Sequence, residues 1–124
     1  MDNLTIKETT YTPQIDFNIE GTLSMKGKSY PENAFEFYEP VMDWIEEYFE
    51  NNAKDKTIFD IEITYFNSST SKVLFDMLDL FEENCNDHSV TVNWIYDKDD
   101  ESSKEAGEDI IEDFEDLEIN LVTK

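Results

Sequence analysis

Apolar and polar residues alternate along this chain with two different periods, and the switches between them mark its elements. Residues 4–10, 14–20 and 22–25 read as short strands, with Ile15, Phe17 and Ile19 on one side of the second and Asp16, Asn18 and Glu20 on the other. Pro13 and Gly21 punctuate them, and Gly27-Lys28-Ser29-Tyr30-Pro31 reads as a turn. Phe35 to Tyr38 lead to Pro40, a residue suited to the first turn of a helix. That helix places Val41, Trp44, Ile45, Tyr48 and Phe49 on one stripe opposite Asp43, Glu46, Glu47 and Glu50, and it is expected to end near Asn51-Asn52. Period two returns over residues 58–66 and gives way after Phe66 to Val73, Leu74, Met77, Leu78 and Phe81, a helix reaching about Glu83. Beyond the loop Asn84-Cys85-Asn86-Asp87, Val90, Val92, Trp94 and Tyr96 predict a strand. Residues 97–113 predict part loop and part short helix through Ala106, Ile110 and Ile111, and Leu117, Ile119 and Leu121 a last strand.

The strands alternate instead of running continuously apolar. Asp60, Glu62 and Thr64 oppose Ile61 and Ile63, and Thr91 and Asn93 oppose Val92 and Trp94. A parallel sheet covered on both faces would be apolar on both, so the pattern predicts a mixed sheet with helices mainly on one face and water or a partner on the other. The fold class is α/β, bordering on α+β, in a single domain over residues 1–124, long enough to bury a core without cross-links. Only Gly21, Gly27 and Gly107 are available, at spacings that cradle no phosphate, which argues against a nucleotide-binding loop.

Charge narrows the partners. The 31 acidic residues against 9 basic give a net −22, which disfavours DNA, RNA and anionic membranes and favours proteins with basic faces. Aromatic content of 14% argues for a packed fold despite that charge. A single cysteine makes no internal disulfide, and neither a signal-peptide pattern nor a membrane-length apolar run is present, so the expected location is the cytoplasm.

The change of period after Phe66 coincides with the run Asn67-Ser68-Ser69-Thr70-Ser71-Lys72. Unpaired backbone N–H groups at a helix N-terminus carry partial positive charge, which Asn, Ser and Thr satisfy as caps and which also stabilises a phosphate. Four consecutive hydroxyl residues exceed what a cap needs. The site is a plain cap or a phosphorylation switch.

Other chemistry is thin. Cys85 and His88 are two ligands where zinc needs three or four, and no metal or cofactor is expected. Residues 97–108 place acids at positions one, three, five and twelve of a calcium loop. Ser102 stands where such a loop needs Gly, and Lys104 where an apolar residue is usual. Acidic cation binding and mimicry of a nucleic acid therefore stay as alternative functions, and nothing selects a catalytic pair among the carboxylates.

Taken together and in order, several runs resemble the SiaC family of bacterial regulatory phosphoproteins: Ser29-Tyr30-Pro31-Glu32-Asn33, Phe37-Tyr38-Glu39-Pro40 with Trp44, Tyr65-Phe66-Asn67-Ser68-Ser69 with Lys72, Val92-Asn93-Trp94, and Tyr96-Asp97 with Glu105-Ala106-Gly107-Glu108-Asp109. The resemblance implies a STAS-like fold, no enzymatic activity and partner switching in cyclic-di-GMP regulation. A serine/threonine kinase modifies the hydroxyl after the Asn, a PP2C-type phosphatase restores it, and the unphosphorylated form binds and activates a diguanylate cyclase. By that pattern Ser68 is the acceptor, where the family has Thr, with Thr70 and Ser69 as alternatives and Asn67, Ser69 and Lys72 as cap and phosphate support. Phe66 and Ser68 are then expected to meet the partner.

Overall fold

All six strands join one sheet in the order of the chain. The computed structural model describes residues 1–124, apart from the side chain of Asn52. Strands β1 (Leu4–Ile6), β2 (Gln14–Phe17) and β3 (Thr22–Ser29) pair antiparallel; β3, β4 (Lys56–Phe66), β5 (Ser89–Tyr96) and β6 (Glu118–Thr123) pair parallel. Helices α1 (Ala34–Glu47), α2 (Ser68–Asn84) and α3 (Glu101–Asp113) make the three crossovers, and a π-helical turn (Tyr48–Asn52) extends α1. Because the strand order never reverses, no crevice of the dinucleotide-binding kind opens at the strand ends.

The alternation in the sequence becomes two unlike faces. Phe17, Leu23, Phe59 and Val92 are in register and fully buried, as are their neighbours Ile15 and Ile61. All three helices lie on this face. Trp44 of α1 packs on Phe17 at 5.3 Å between ring centroids, Phe81 of α2 stacks on Phe59 at 4.9 Å, and α3 accepts a 2.9 Å bond from Trp94 Nε1 at the Ser103 carbonyl. Such aromatic pairs add about 0.5–1.5 kcal/mol each beyond area burial. The opposite face carries no helix. Across it Asp16, Ser24, Asp60, Asn93 and Asn120 stand in one row, with Asn93 Nδ2 donating to Asp60 at 2.8 Å and Asn120 Nδ2 to Asn93 at 3.2 Å. Only two of these five groups are carboxylates, and they are not neighbours, unlike a backbone of phosphates.

Several boundaries differ from the sequence pattern, each of the following for a local reason. Strand β1 stops at Ile6 because Thr9 turns the chain, its hydroxyl accepting from the N–H of Tyr11 and of Thr12. Likewise β2 stops at Phe17, because Asn18 accepts from the Glu20 N–H at 2.8 Å. In place of a turn at residues 27–31, β3 runs on to Ser29 through a bulge at Gly27, whose φ of 130° suits glycine and where a Cβ would collide with the Glu8 carboxylate.

Helix α1 begins at Ala34, well before Pro40, since Asn33 caps it by accepting from the Glu36 N–H at 3.1 Å. Pro40 sits inside the helix on its exposed side, where the carbonyl it leaves unbonded can face water. The acidic stretch is also more helical than expected. Asp100 accepts from the Ser103 N–H at 3.1 Å and starts a full α3, which draws residues 101–108 into a helix that cannot wrap an ion. Among the described residues no group of His, Cys, Asp and Glu is placed to hold a metal.

Candidate phosphorylation switch at the tip of helix α2

The hydroxyl run lands where a parallel strand hands over to a helix, a point fixed from both sides. The Asn67 N–H donates to the Ser29 carbonyl at 3.1 Å, tying the end of β4 to the end of β3. Its side chain accepts from the Thr70 N–H at 2.9 Å, the N-cap bond. Helix geometry leaves the N–H groups of Ser68 and Ser69 without an intrahelical acceptor. Both side chains are exposed.

The third hydroxyl is not available in the same way. Thr70 is buried, its Oγ1 in contact with Ser29 Oγ at 2.9 Å and donating to the Ser29 carbonyl at 3.2 Å. Ser29 Oγ in turn meets Tyr38 OH at 2.6 Å, so one buried chain of hydroxyls joins the α2 tip, β3 and α1. At this end of the helix Ser68 and Ser69 are exposed and Thr70 is not. Loss of the cap by Asn67→Ala should destabilise the chain by about 1 kcal/mol in a urea titration. An unchanged midpoint would show that the Ser29 tether alone holds the tip.

Burial pushes the Tyr38 phenol from 10.0 up to about 12, against the downward pull of its Ser29 bond. The folded chain therefore holds this proton more tightly than the unfolded one. Its contribution is complete below pH about 10 and is lost as pH climbs to about 12, on the order of 2 kcal/mol in all. Melts across that range should show a steeper decline for the wild type than for Tyr38→Phe; parallel curves would remove Tyr38 from the account.

Two predicted support residues sit differently from one another. Asn67 caps as expected. Lys72 is exposed but leans away, its Nζ 5.7 Å from the centre of the Phe35 ring. Phe66 is half-buried, edge-on to Trp94 at 6.3 Å. The period of two puts Tyr65 in line with Phe59, Ile61 and Ile63, but the register shift against β3 at Gly27/Lys28 leaves it open to solvent, as are Tyr11 and Phe35, which no period selected. Tyr65, Tyr11 and Phe35 are 55%, 59% and 54% exposed. Tyr30 makes edge contacts with Tyr11 at 5.3 Å and Tyr65 at 5.5 Å, above a wide hollow of about 750 Å³ that reaches Pro31 and Phe37. A signal existed for Phe35: it falls outside the stripe Ala34, Tyr38, Val41 and Ile45 that α1 buries. Tyr11 and Tyr30 lie in connections, where spacing carries no such information.

Neither of the other chemical candidates assembles. Cys85 donates from Sγ to the Glu82 and Asp116 carbonyls at 3.0 and 3.3 Å, while His88 rests against Phe49 at 5.7 Å. Burial, and then the Asp116 and Glu82 carboxylates, push the Cys85 thiol up, the reverse of an activated nucleophile.

Residues 6–124 match the sequence model of the SiaC family regulatory phosphoproteins. The chain belongs to the SiaC family. It is thus a regulatory protein and not an enzyme. An uncharacterised protein of Pseudomonas aeruginosa strain UCBPP-PA14 is 36% identical over 115 residues, covering 91% of this chain and 90% of that one. Among solved structures, SiaC of Pseudomonas aeruginosa is 32% identical with a TM-score of 0.90, covering 100% of both chains. Another neighbour is from the crystal structure of the diguanylate cyclase SiaD in complex with its activator SiaC, also of Pseudomonas aeruginosa. It is 33% identical with a TM-score of 0.90, covering 98% of this chain and 99% of that one. The SiaC fold is this mixed six-stranded sheet with three helices. No described helix is long and apolar enough to cross a membrane.

Proposed function

We propose that this SiaC family member acts in the cytoplasm as a single regulatory domain over residues 1–124, and that phosphorylation of Ser68 decides whether it binds and activates a diguanylate cyclase. A serine/threonine kinase adds the phosphate and a PP2C-type phosphatase removes it. The observation that carries the reading is the exposed Ser68 hydroxyl on a capped helix N-terminus, with solvent-facing Tyr65 three residues before it at the end of β4 and Phe35 under the neighbouring Lys72. The unmodified tip offers a partner apolar area next to small hydroxyls. The modified tip offers a dianion that the helix end itself tolerates.

Ser69 is the alternative acceptor, and the burial of Thr70 argues against that residue. The partner surface comprises Ser68, Phe66 and the aromatic ring residues Tyr65, Tyr30 and Phe35. Nucleic acid and membrane are not partners on this reading, in line with the net −22. The test is the rate of cyclic-di-GMP formation by the cognate cyclase as the chain is titrated in. The unphosphorylated chain should raise that rate and the kinase-treated chain should not. A rate indifferent to the unphosphorylated chain would refute the activator role.

A further inference from the structure

Strands β4 and β5 part company before either ends. Their pairing stops at Ile61 opposite Trp94, whereas β4 continues beside β3 to Phe66 and β5 continues beside β6 to Tyr96. Residues 62–66 therefore keep one backbone edge without a neighbouring strand. A cleft of about 290 Å³ occupies the gap, walled by residues 63–66 of β4 on one side and by the cap Asp100 and Ser103 and Ala106 of α3 on the other. At its wall Ser103 Oγ is buried and has no hydrogen-bond partner, in a residue only 8% exposed. The Ser103 carbonyl is already taken by Trp94 Nε1, so the hydroxyl is the group left over. That atom is closed off from the cleft, so what the cleft itself offers a ligand is the unpaired backbone edge of β4 and the Asp100 carboxylate.

We propose that this cleft docks an extended peptide segment of a partner protein, laid as an additional strand along residues 63–66, with a lysine or arginine of the segment facing Asp100. An unpaired strand edge recognises backbone, and backbone is what an extended segment brings in regular spacing. Charge sets the composition. Asp100 stands at the wall and Asp97, Asp99 and Glu101 are exposed beside it, so an acidic segment is repelled and a basic one drawn in. Past Phe66 and Ala106 a smaller hollow of about 120 Å³ opens between α2 and α3, over Leu74 and Phe75, with room for an apolar side chain.

The site can be tested with a phage-displayed library of random short peptides, selected on the whole chain and counter-selected on Ala106→Phe and on Ser102→Trp, the latter at an exposed rim position where the fold is not at risk. Surviving peptides should carry Lys or Arg within an alternating apolar pattern. They should bind Asp100→Asn, which keeps the capping oxygen, about tenfold more weakly, and slow amide exchange in residues 62–66. Peptides that fail to distinguish the wild type from both filled variants, or that leave exchange in residues 62–66 unchanged, would overturn the proposal.

Discussion

Ser68→Asp is expected to weaken binding of the effector cyclase at least about tenfold, and complete phosphorylation of Ser68 more than about a hundredfold, while the melting temperature of the free chain stays level or rises slightly. The two effects have opposite signs because the same charge meets two environments. On the free chain it lies at the start of α2, where the Ser68 and Ser69 N–H groups point outward and solvent is unrestricted. A carboxylate there gains about 0.3–1 kcal/mol. Within a contact surface, a charge stripped of water without a cationic partner costs several kcal/mol. The lysine on the adjoining turn, Lys72, is held over Phe35 and would have to leave that ring to help. Calorimetric titration of the cyclase with both variants, alongside thermal melts, separates binding from folding. A loss of affinity that tracks a loss of stability would mean that the charge unfolds the tip instead of blocking a partner.

Gly107→Val should cost on the order of 3 kcal/mol or more, lowering the melting temperature by roughly 10 °C for a domain of this size. In an ordinary helix interior, replacing glycine stabilises, by up to about 1 kcal/mol for alanine. Here α3 approaches the sheet so closely that a Cβ at residue 107 would stand 2.6 Å from Trp94 Cδ1 and 2.6 Å from Leu121 Cδ2. Leu121 is partly exposed and can shift, but Trp94 is 1% exposed and tied by its Nε1 to Ser103. The helix must lift instead. Glu108→Ala, one residue on and exposed, is the matched control and should melt within a degree or two of the wild type. Equal melting of Gly107→Val and the control would show that α3 does not need this close approach.

Strand alternation was the part of the architecture that sequence carried most clearly, because a period of two over Phe59, Ile61 and Ile63 has one structural meaning when the intervening residues are Asp60 and Glu62. It predicted the bare polar face and the single-sided helices. Starts and stops were less legible. The beginning of α1 depends on one side-chain bond, Asn33 to the Glu36 N–H, which competed in the sequence with the stronger-looking signal of Pro40. The extent of α3 was obscured by its acidity: only Ser103, Gly107 and Ile110 are buried along it, too sparse an apolar stripe to announce a full helix.

At the candidate site the run from Asn67 to Lys72 located the helix tip, but not which hydroxyls it exposes. Burial of Thr70 follows from contacts with Ser29 and, through it, Tyr38, at separations of 41 and 9 residues that no local pattern encodes. The same holds for Tyr11, Tyr30 and Tyr65, which come together from a loop, a strand exit and a strand end. Long-range assembly, not local chemistry, makes the surface around Ser68.

The most direct test of the switch is mass-spectrometric mapping of phosphate on the chain isolated from its native cell. A single phosphorylated residue, Ser68, with labelling by the cognate kinase abolished in Ser68→Ala, is the expected result. Phosphate on Thr70, or undiminished labelling of Ser68→Ala, would contradict it.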